Sequence, residues 1–276
     1  MSKSNNTNKI KFQAIDFRSY DGLSDDSTDE TFIIEIFGKM LDGKTVYCKI
    51  INFTPYFFVK IPRHWSKNQL SILIEEVNKK ISKDNKKSLK KSIIVNRYEF
   101  YGFTDYKKYK FAKLIFTNYK GFRSYSYAFN NSIDNKRLSR TPKIYKLYES
   151  NIEPILRFIH ITNIKSVSWI EIHKYDEIDG EKSDINISTN YGNIKPVVDD
   201  DMPPLVIASI DIECISRDRK SFPQASNKYE KIIQIGTTLN ICGKPECHIK
   251  YIATLGDVMI SKMQLLNHLI LKKICY

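Results

Sequence analysis

The sequence predicts an α+β domain over residues 1–203, followed by the opening strands of an α/β domain over residues 204–276. Three observations carry that reading. Residues 10–61 are runs of β-branched and aromatic residues broken by turn signals, and they give way to one amphipathic helical stretch and then to further strands. Residues 176–201 turn polar, with Gly180, Gly192 and the triplet Asp199-Asp200-Asp201, and Pro203-Pro204 follow, as at a boundary between domains. Beyond it, Leu205, Val206, Ile207, Ile210, Ile212 and Ile215 mark a strand of the kind covered on both faces in an α/β sheet.

Strands are expected over residues 11–17, 31–37, 44–53 and 55–61, with Asp42-Gly43 closing a hairpin between the second and third. The acidic stretch 21–30 reads as a surface loop. Ser66 caps a helix reaching about Ser82, in which Leu70, Leu73, Ile74, Val77 and Ile81 fall on one face. Residues 83–92 have no apolar face and read as a solvated loop, with strands following around 93–103 and 111–117. Asn151 opens a helix with Pro154 in its first turn, where a missing N–H is harmless, and residues 169–172 return to a strand. His160 reads as a packed or surface histidine, because no second His or Cys stands at metal-ligand spacing. In the second region, strands over 231–241 and 247–255 join through residues 242–245, and a last helix is expected from about Ser261 through Leu265, Leu266, Leu269 and Ile270. Cys242 and Cys247 lack the second pair that zinc would need, and read as two cysteines of one hairpin near His248.

With 42% hydrophobic and 27% charged residues, the chain is globular, not disordered. Nothing in it resembles a membrane span, and the polar start lacks the apolar stretch of a secretion signal. Five scattered cysteines, an odd number, fit an intracellular, reducing compartment better than a disulfide framework. The net charge of +13 is unevenly placed: residues 79–143 hold 18 Lys and Arg against 4 acids, a local +14, so the remainder stands at −1. Such a block could follow a phosphate backbone by releasing counterions. A lysine-favouring codon bias is the plainer source, since Lys outnumbers Arg 35 to 9, yet it would raise lysine everywhere and not in one segment. Thirteen aromatic residues between Tyr98 and Phe129 interleave with lysines, a mixture that can stack bases and neutralise phosphates. Alternation along strands assigns most of those rings to the core and leaves two or three at most to face a ligand.

The most chemical feature is the pair Asp211 and Glu213, set two residues apart in the apolar strand. Alternate strand residues share a face and lie roughly 6.5 to 7 Å apart, so the two carboxylates would be neighbours. A charged carboxylate in low dielectric needs a cation, a hydrogen-bond cluster or an open cleft, and hard divalent ions are one natural solution. On the two residues alone, a strand end facing water is the better explanation of the pattern, because Asp-x-Glu recurs by chance in most long chains.

The residues around the pair resemble a known family, the B-family DNA polymerases, and in particular the delta-like enzymes of eukaryotes and large DNA viruses. Ile210-Asp211-Ile212-Glu213-Cys214 looks like that family's first 3′–5′ exonuclease motif, followed as in the family by Phe222-Pro223-Gln224-Ala225 and Ile232-Ile233-Gln234-Ile235-Gly236. Upstream, Tyr148-Glu149-Ser150-Asn151-Ile152, Arg157-Phe158 and Trp169-Ile170-Glu171 match the pattern ending the family's N-terminal domain. Phe53-Thr54-Pro55-Tyr56-Phe57 and Tyr101-Gly102-Phe103 fit more loosely.

The resemblance implies a polymerase N-terminal domain to about residue 203 and then a partial ribonuclease-H-like exonuclease domain, its first three strands and a helix. Asp211 and Glu213 would be catalytic and would help hold two Mg²⁺ or Mn²⁺ ions, acting on single-stranded DNA at a primer 3′ end. The family's further aspartates and tyrosine, from an Asn-x-x-x-Phe-Asp-like and a Tyr-x-x-x-Asp segment, are missing, as are the polymerase motifs; the last acidic residue is Asp257. The chain is thus expected to be the front portion of a polymerase, inactive alone, with the strand of Asp211 open along one edge and a second polypeptide carrying the remainder if the gene is split. A nucleus or viral replication site is the implied location. The alternative is a non-catalytic nucleic-acid-binding or scaffold protein derived from the same fold; nothing in the sequence picks out the DNA-contacting residues.

Overall fold

The structure, a computed structural model, describes residues 9–23, 29–99, 102–180 and 182–256, and the backbone of residues 269–274. The chain divides into two compact units, Met1–Met40 with Lys44–Asp199, and Leu41–Gly43 with Asp200–Tyr276.

The first unit holds two sheets. Strands β1 (Ile10–Leu23), β2 (Glu30–Lys39) and β3 (Thr45–Ile51) form an antiparallel meander, as their alternating Phe, Ile and Val residues dictate. Gly43, at φ +93°, turns the β2–β3 hairpin at the expected Asp42-Gly43. Strands β8 (Ser168–Ile172), β9 (Asp176–Glu177), β10 (Ile185–Asn190) and β11 (Ile194–Pro196) extend it to seven strands in the order β11-β8-β1-β2-β3-β10-β9. Helix α4 (Pro154–Thr162) seats Phe158 among Phe12, Ile34, Ile36, Ile50 and Phe53, all within 3% of complete burial. The opposite face of the sheet buries one carboxylate, Glu35, which accepts hydrogen bonds from Tyr47 Oη at 2.7 Å, Lys182 Nζ at 2.8 Å and Tyr20 Oη at 3.2 Å.

The second sheet is built from β4 (Tyr56–Lys60), β5 (Leu89–Tyr98), β6 (Lys108–Phe116) and β7 (Leu147–Tyr148), with α1 (Lys67–Asn78), α2 (Lys83–Lys87) and α3 (Tyr119–Ala128) between them. All its pairings are antiparallel, in the order β5-β6-β4-β7. A β-α-β-β-α-β run of this kind puts both main helices on one face and leaves the other face without a helix of its own. On the helix side, Phe57, Val59, Ala112, Leu114 and Phe116 meet Leu73 and Val77 of α1 and Phe122 and Tyr125 of α3 in a closed core. Ser66 caps α1 in a reciprocal box with Gln69. Gly121 lets the start of α3 pass against Ser88, whose Oγ would lie 1.7 Å from a Cβ at that position.

Several expectations are corrected here. The acidic stretch is not a loop throughout: β1 continues to Leu23, and Asp21 accepts the Tyr119 and Lys120 N–H groups at 2.7 and 2.8 Å, closing the N-terminus of α3. The supposed solvated loop 83–92 contains α2, capped by Ser82, and the start of β5; a single turn of helix with no buried residue carries no periodic signal. Helix α1 ends at Asn78, and α4 starts at Pro154 with Glu153 as its cap. The polar stretch from Asp176 includes β10, which pairs in parallel with β3 through Ile185↔Val46 to Asn190↔Ile51.

The second unit is a four-stranded sheet, β12 (Val206–Ile215), β13 (Lys231–Ile241), β14 (Cys247–Leu255) and β15 (Leu269–Ile274), in that order. β12, β13 and β14 are antiparallel neighbours, and β14 and β15 are parallel. Gly243, at φ +83°, turns the hairpin between β13 and β14. Leu269 and Ile270 therefore belong to a strand and not to the expected helix, the rest of which lies outside the described residues. Among the described residues, no helix is long and apolar enough to cross a membrane.

Candidate functional site

Strand β12 presents Asp211 and Glu213 on one face, as strand alternation requires, with the one irregularity of the β12–β13 pairing falling after Glu213. Both are exposed. The burial expected for their strand is not found: β12 is an edge strand, and Ile210 and Ile212 on its other face are 68% and 52% exposed. A strand flanked by one neighbour cannot be enclosed by its own sheet, and no described helix packs on β12.

The register shows what surrounds the acids. Gly236 of β13 lies opposite Asp211 and Gln234 opposite Glu213, with Ser209 and Thr238 paired one step along. A Cβ built on Gly236 would meet nothing nearer than the Asp211 carbonyl oxygen at 4.0 Å, so the missing side chain leaves open room beside that carboxylate. A shallow hollow of about 400 Å³ is lined by Asp211, Gly236, Thr237, Thr238, Lys250 and Tyr251 among others; Glu213 is not part of its wall.

The other acids nearby are committed locally. Asp218 Oδ1 accepts from Ser216 Oγ, Lys220 N, Ser221 N and Ser221 Oγ at 2.8 to 2.9 Å, and those donors, the Ser221 N–H first, hold its carboxyl far below the usual range. Glu230 accepts from Gln224 N and from Asn227 Nδ2, pinning the loop that carries Phe222 and Pro223. Asp211 and Glu213 have no hydrogen-bond or ion-pair partner among the described residues. Two solvent-facing carboxylates on one face, unneutralised and beside an open position, suit a hard divalent cation in donor type. They are two ligands and not a cage: among the described residues, no three His, Cys, Asp or Glu side chains gather at metal-binding distance.

Elsewhere the sequence candidates scatter. Cys242 and Cys247 flank one hairpin as expected, with Cys247 Sγ 3.2 Å from the Ile249 carbonyl oxygen, and the four described cysteines are free thiols. Of the thirteen rings, Phe111, Phe116, Phe122, Tyr125 and Phe129 are buried, whereas Tyr98, Phe103, Tyr106 and Tyr127 are exposed. The sequence marks Lys113 only as one of several lysines interleaved with the rings and does not mark Arg97, yet both share a sheet face with Tyr109; the alternation Tyr109, Phe111, Lys113, Ile115 against Lys110, Ala112, Leu114, Phe116 was the available signal.

Residues 145–273 match the family model described as DNA polymerase family B, exonuclease domain. Over 264 residues the chain is 35% identical to a DNA polymerase of Acanthamoeba polyphaga mimivirus, covering 90% of the chain and 15% of that relative. Over 236 residues it is 28% identical to the DNA polymerase delta catalytic subunit of Dictyostelium discoideum, covering 80% of the chain and 21% of that relative. The chain thus spans less than a quarter of the length of either. A solved family B DNA polymerase from the archaeon Pyrobaculum calidifontis superposes with a TM-score of 0.57 over 83% of this chain and 25% of that one, at 15% identity, which establishes a common fold.

Proposed function

We propose, from the chain's relationship to the B-family DNA polymerases, that residues 1–203 act as the N-terminal domain of a replicative DNA polymerase and residues 204–276 as the start of its 3′–5′ proofreading exonuclease. The observation that carries this reading is the side-by-side placement of Asp211 and Glu213 on an exposed strand face with no partner among the described residues. These two residues would hold Mg²⁺ or Mn²⁺ through hard carboxylate oxygens. Divalent ions bound there would supply a hydroxide nucleophile and charge stabilisation for a leaving 3′ oxygen.

The part this chain plays is positional. β13 fixes β12 by an unbroken register from Val206↔Ile241 to Glu213↔Gln234, which holds the two carboxylates on the same side. Gly236 keeps the space next to Asp211 free for a phosphate or sugar. The substrate would be the single-stranded 3′ end of a primer, and the setting a nucleus or viral replication site. The two ligands brought together among the described residues are too few to hold a pair of ions in the geometry that in-line attack requires, so the chain by itself is inactive, and a second polypeptide carrying the remaining carboxylates would be its partner.

Incubating the purified chain with end-labelled single-stranded DNA and Mg²⁺ or Mn²⁺ tests this. The expected result is no degradation above a metal-free control. Metal-dependent shortening of the DNA that disappears in Asp211→Ala would show a complete site and overturn the half-site reading.

A further inference from the structure

The face of the β5-β6-β4-β7 sheet turned away from α1 and α3 has a chemistry that the carboxylate pair does not use. Strand register places Tyr109, Lys113 and Ile115 of β6 on that face with Arg97, Ile93 and Lys91 opposite them on β5. Phe58 and Lys60 of β4 adjoin on the other side. None of these side chains belongs to the closed core beneath the sheet.

Its charges are unbalanced. Lys60 pairs with Glu99 at 2.6 Å and Lys146 with the same carboxylate at 3.7 Å, while Arg157 pairs with Glu149. Arg97 and Lys113 have no carboxylate within ion-pairing distance among the described residues. Lys113 instead lies 3.5 Å from the centre of the Tyr56 ring. Burial, and after it the like charges of Arg157 and Arg97, hold its ammonium group below the usual lysine range. An anion at this spot would relieve a repulsion already built into the fold.

Aromatic rings continue the same hairpin outward. Lys60 stands 4.2 Å from the centre of the half-buried Tyr109 ring. At the tip between β5 and β6, Phe103 and Tyr106 are 98% and 91% exposed. Asp105 and Tyr106 both sit in the left-handed region, at φ +48° and +53°, which costs of order 1 kcal/mol or more each for residues with a side chain. Large apolar rings facing water on a strained turn, on one hairpin with cations that have no carboxylate partner among the described residues, match a polyanion with flat apolar groups. Duplex DNA hides its bases, whereas a single strand offers phosphates and ring faces together.

We propose that single-stranded nucleic acid binds along the β5–β6 hairpin, its phosphates at Arg97 and Lys113 and its bases on Tyr109, Tyr106 and Phe103. This extends the polymerase reading to a second place on the chain and stands independently of Asp211 and Glu213.

The test is a titration of a fluorescent oligothymidylate with the full chain in the presence of a chelator, which makes it blind to any metal-dependent site. Expected are salt-sensitive binding and roughly tenfold weaker binding for Phe103→Ala with Tyr106→Ala, both exposed enough to be removed without disturbing the core. Arg97→Ala with Lys113→Ala should also reduce the log–log salt slope by about 0.7 for each lost phosphate contact. Lys86→Ala with Lys87→Ala, on α2 at the helix side of the sheet, should bind like the parent. Equal loss in the α2 variant, parent-like binding by the ring variant, or equally tight binding of duplex DNA would each overturn the proposal in favour of unspecific attraction by a basic protein.

Discussion

The two units solve the problem of a sheet's apolar face differently. In the first, the ring of Phe57 is fully buried, stacked 5.3 Å from Phe116 and crossed by Phe122 at 5.4 Å, beneath helices that the chain supplies between its strands. In the second, Ile210 occupies an equally regular strand and is 68% exposed. Both strands have well-defined registers. Hydrogen-bonded pairing is therefore sufficient to define where a side chain points, but a second layer decides whether that side chain contributes to stability.

The sharpest way to break this comparison is to truncate one residue in each unit. Phe57→Ala should cost about 3–5 kcal/mol, since it removes a buried ring and leaves a cavity. Ile210→Ala should stay within about 0.5 kcal/mol. Trp65 and Trp169 both lie in the first unit and are nearly buried, so denaturation followed by tryptophan fluorescence reads that unit, while amide hydrogen exchange along β12 and β13 reads the second. Equal losses would mean that the exposed strand is covered in solution.

A smaller effect sharpens the picture of the first unit. Burial by itself would push the Glu35 carboxyl up, but hydrogen bonds from Lys182, Tyr47 and Tyr20 and the charge of Lys182 outweigh it and hold the group below the usual glutamate range. A carboxylate with a depressed folded pKa stabilises above its unfolded pKa, and that contribution is lost as the pH falls through the folded value. Glu35→Gln should cost about 1–3 kcal/mol near neutrality and flatten the acid side of the stability profile. An unchanged acid limb would remove Glu35 from the account.

What could be read from the sequence divides along the same line. The β2–β3 hairpin and the strands of Asp211 were legible because alternation and turn dipeptides are local signals. Helix α3 was not: Tyr, Phe and Ser favour strands or are neutral, and the cue lay in the spacing of Tyr119, Phe122 and Tyr125 behind the cap Asn118. Strand β10 hides among Asn, Ser and Thr because its partner β3 is remote in sequence and parallel. Leu269 and Ile270 fit a helical face as well as a strand, and a short apolar run does not separate the two. At the candidate site, the shared face of Asp211 and Glu213 follows from a spacing of two, whereas their exposure depends on what lies over β12, which no local pattern records.

Manganese titration followed by paramagnetic broadening of backbone amide signals tests the central claim, that Asp211 and Glu213 form one cation-binding pair on an open strand face. The predicted result is weak binding with broadening centred on residues 209–214 and on Gly236, lost in Asp211→Asn and reduced in Glu213→Gln. Broadening centred on another acidic stretch, or broadening around β12 that survives both substitutions, would contradict it.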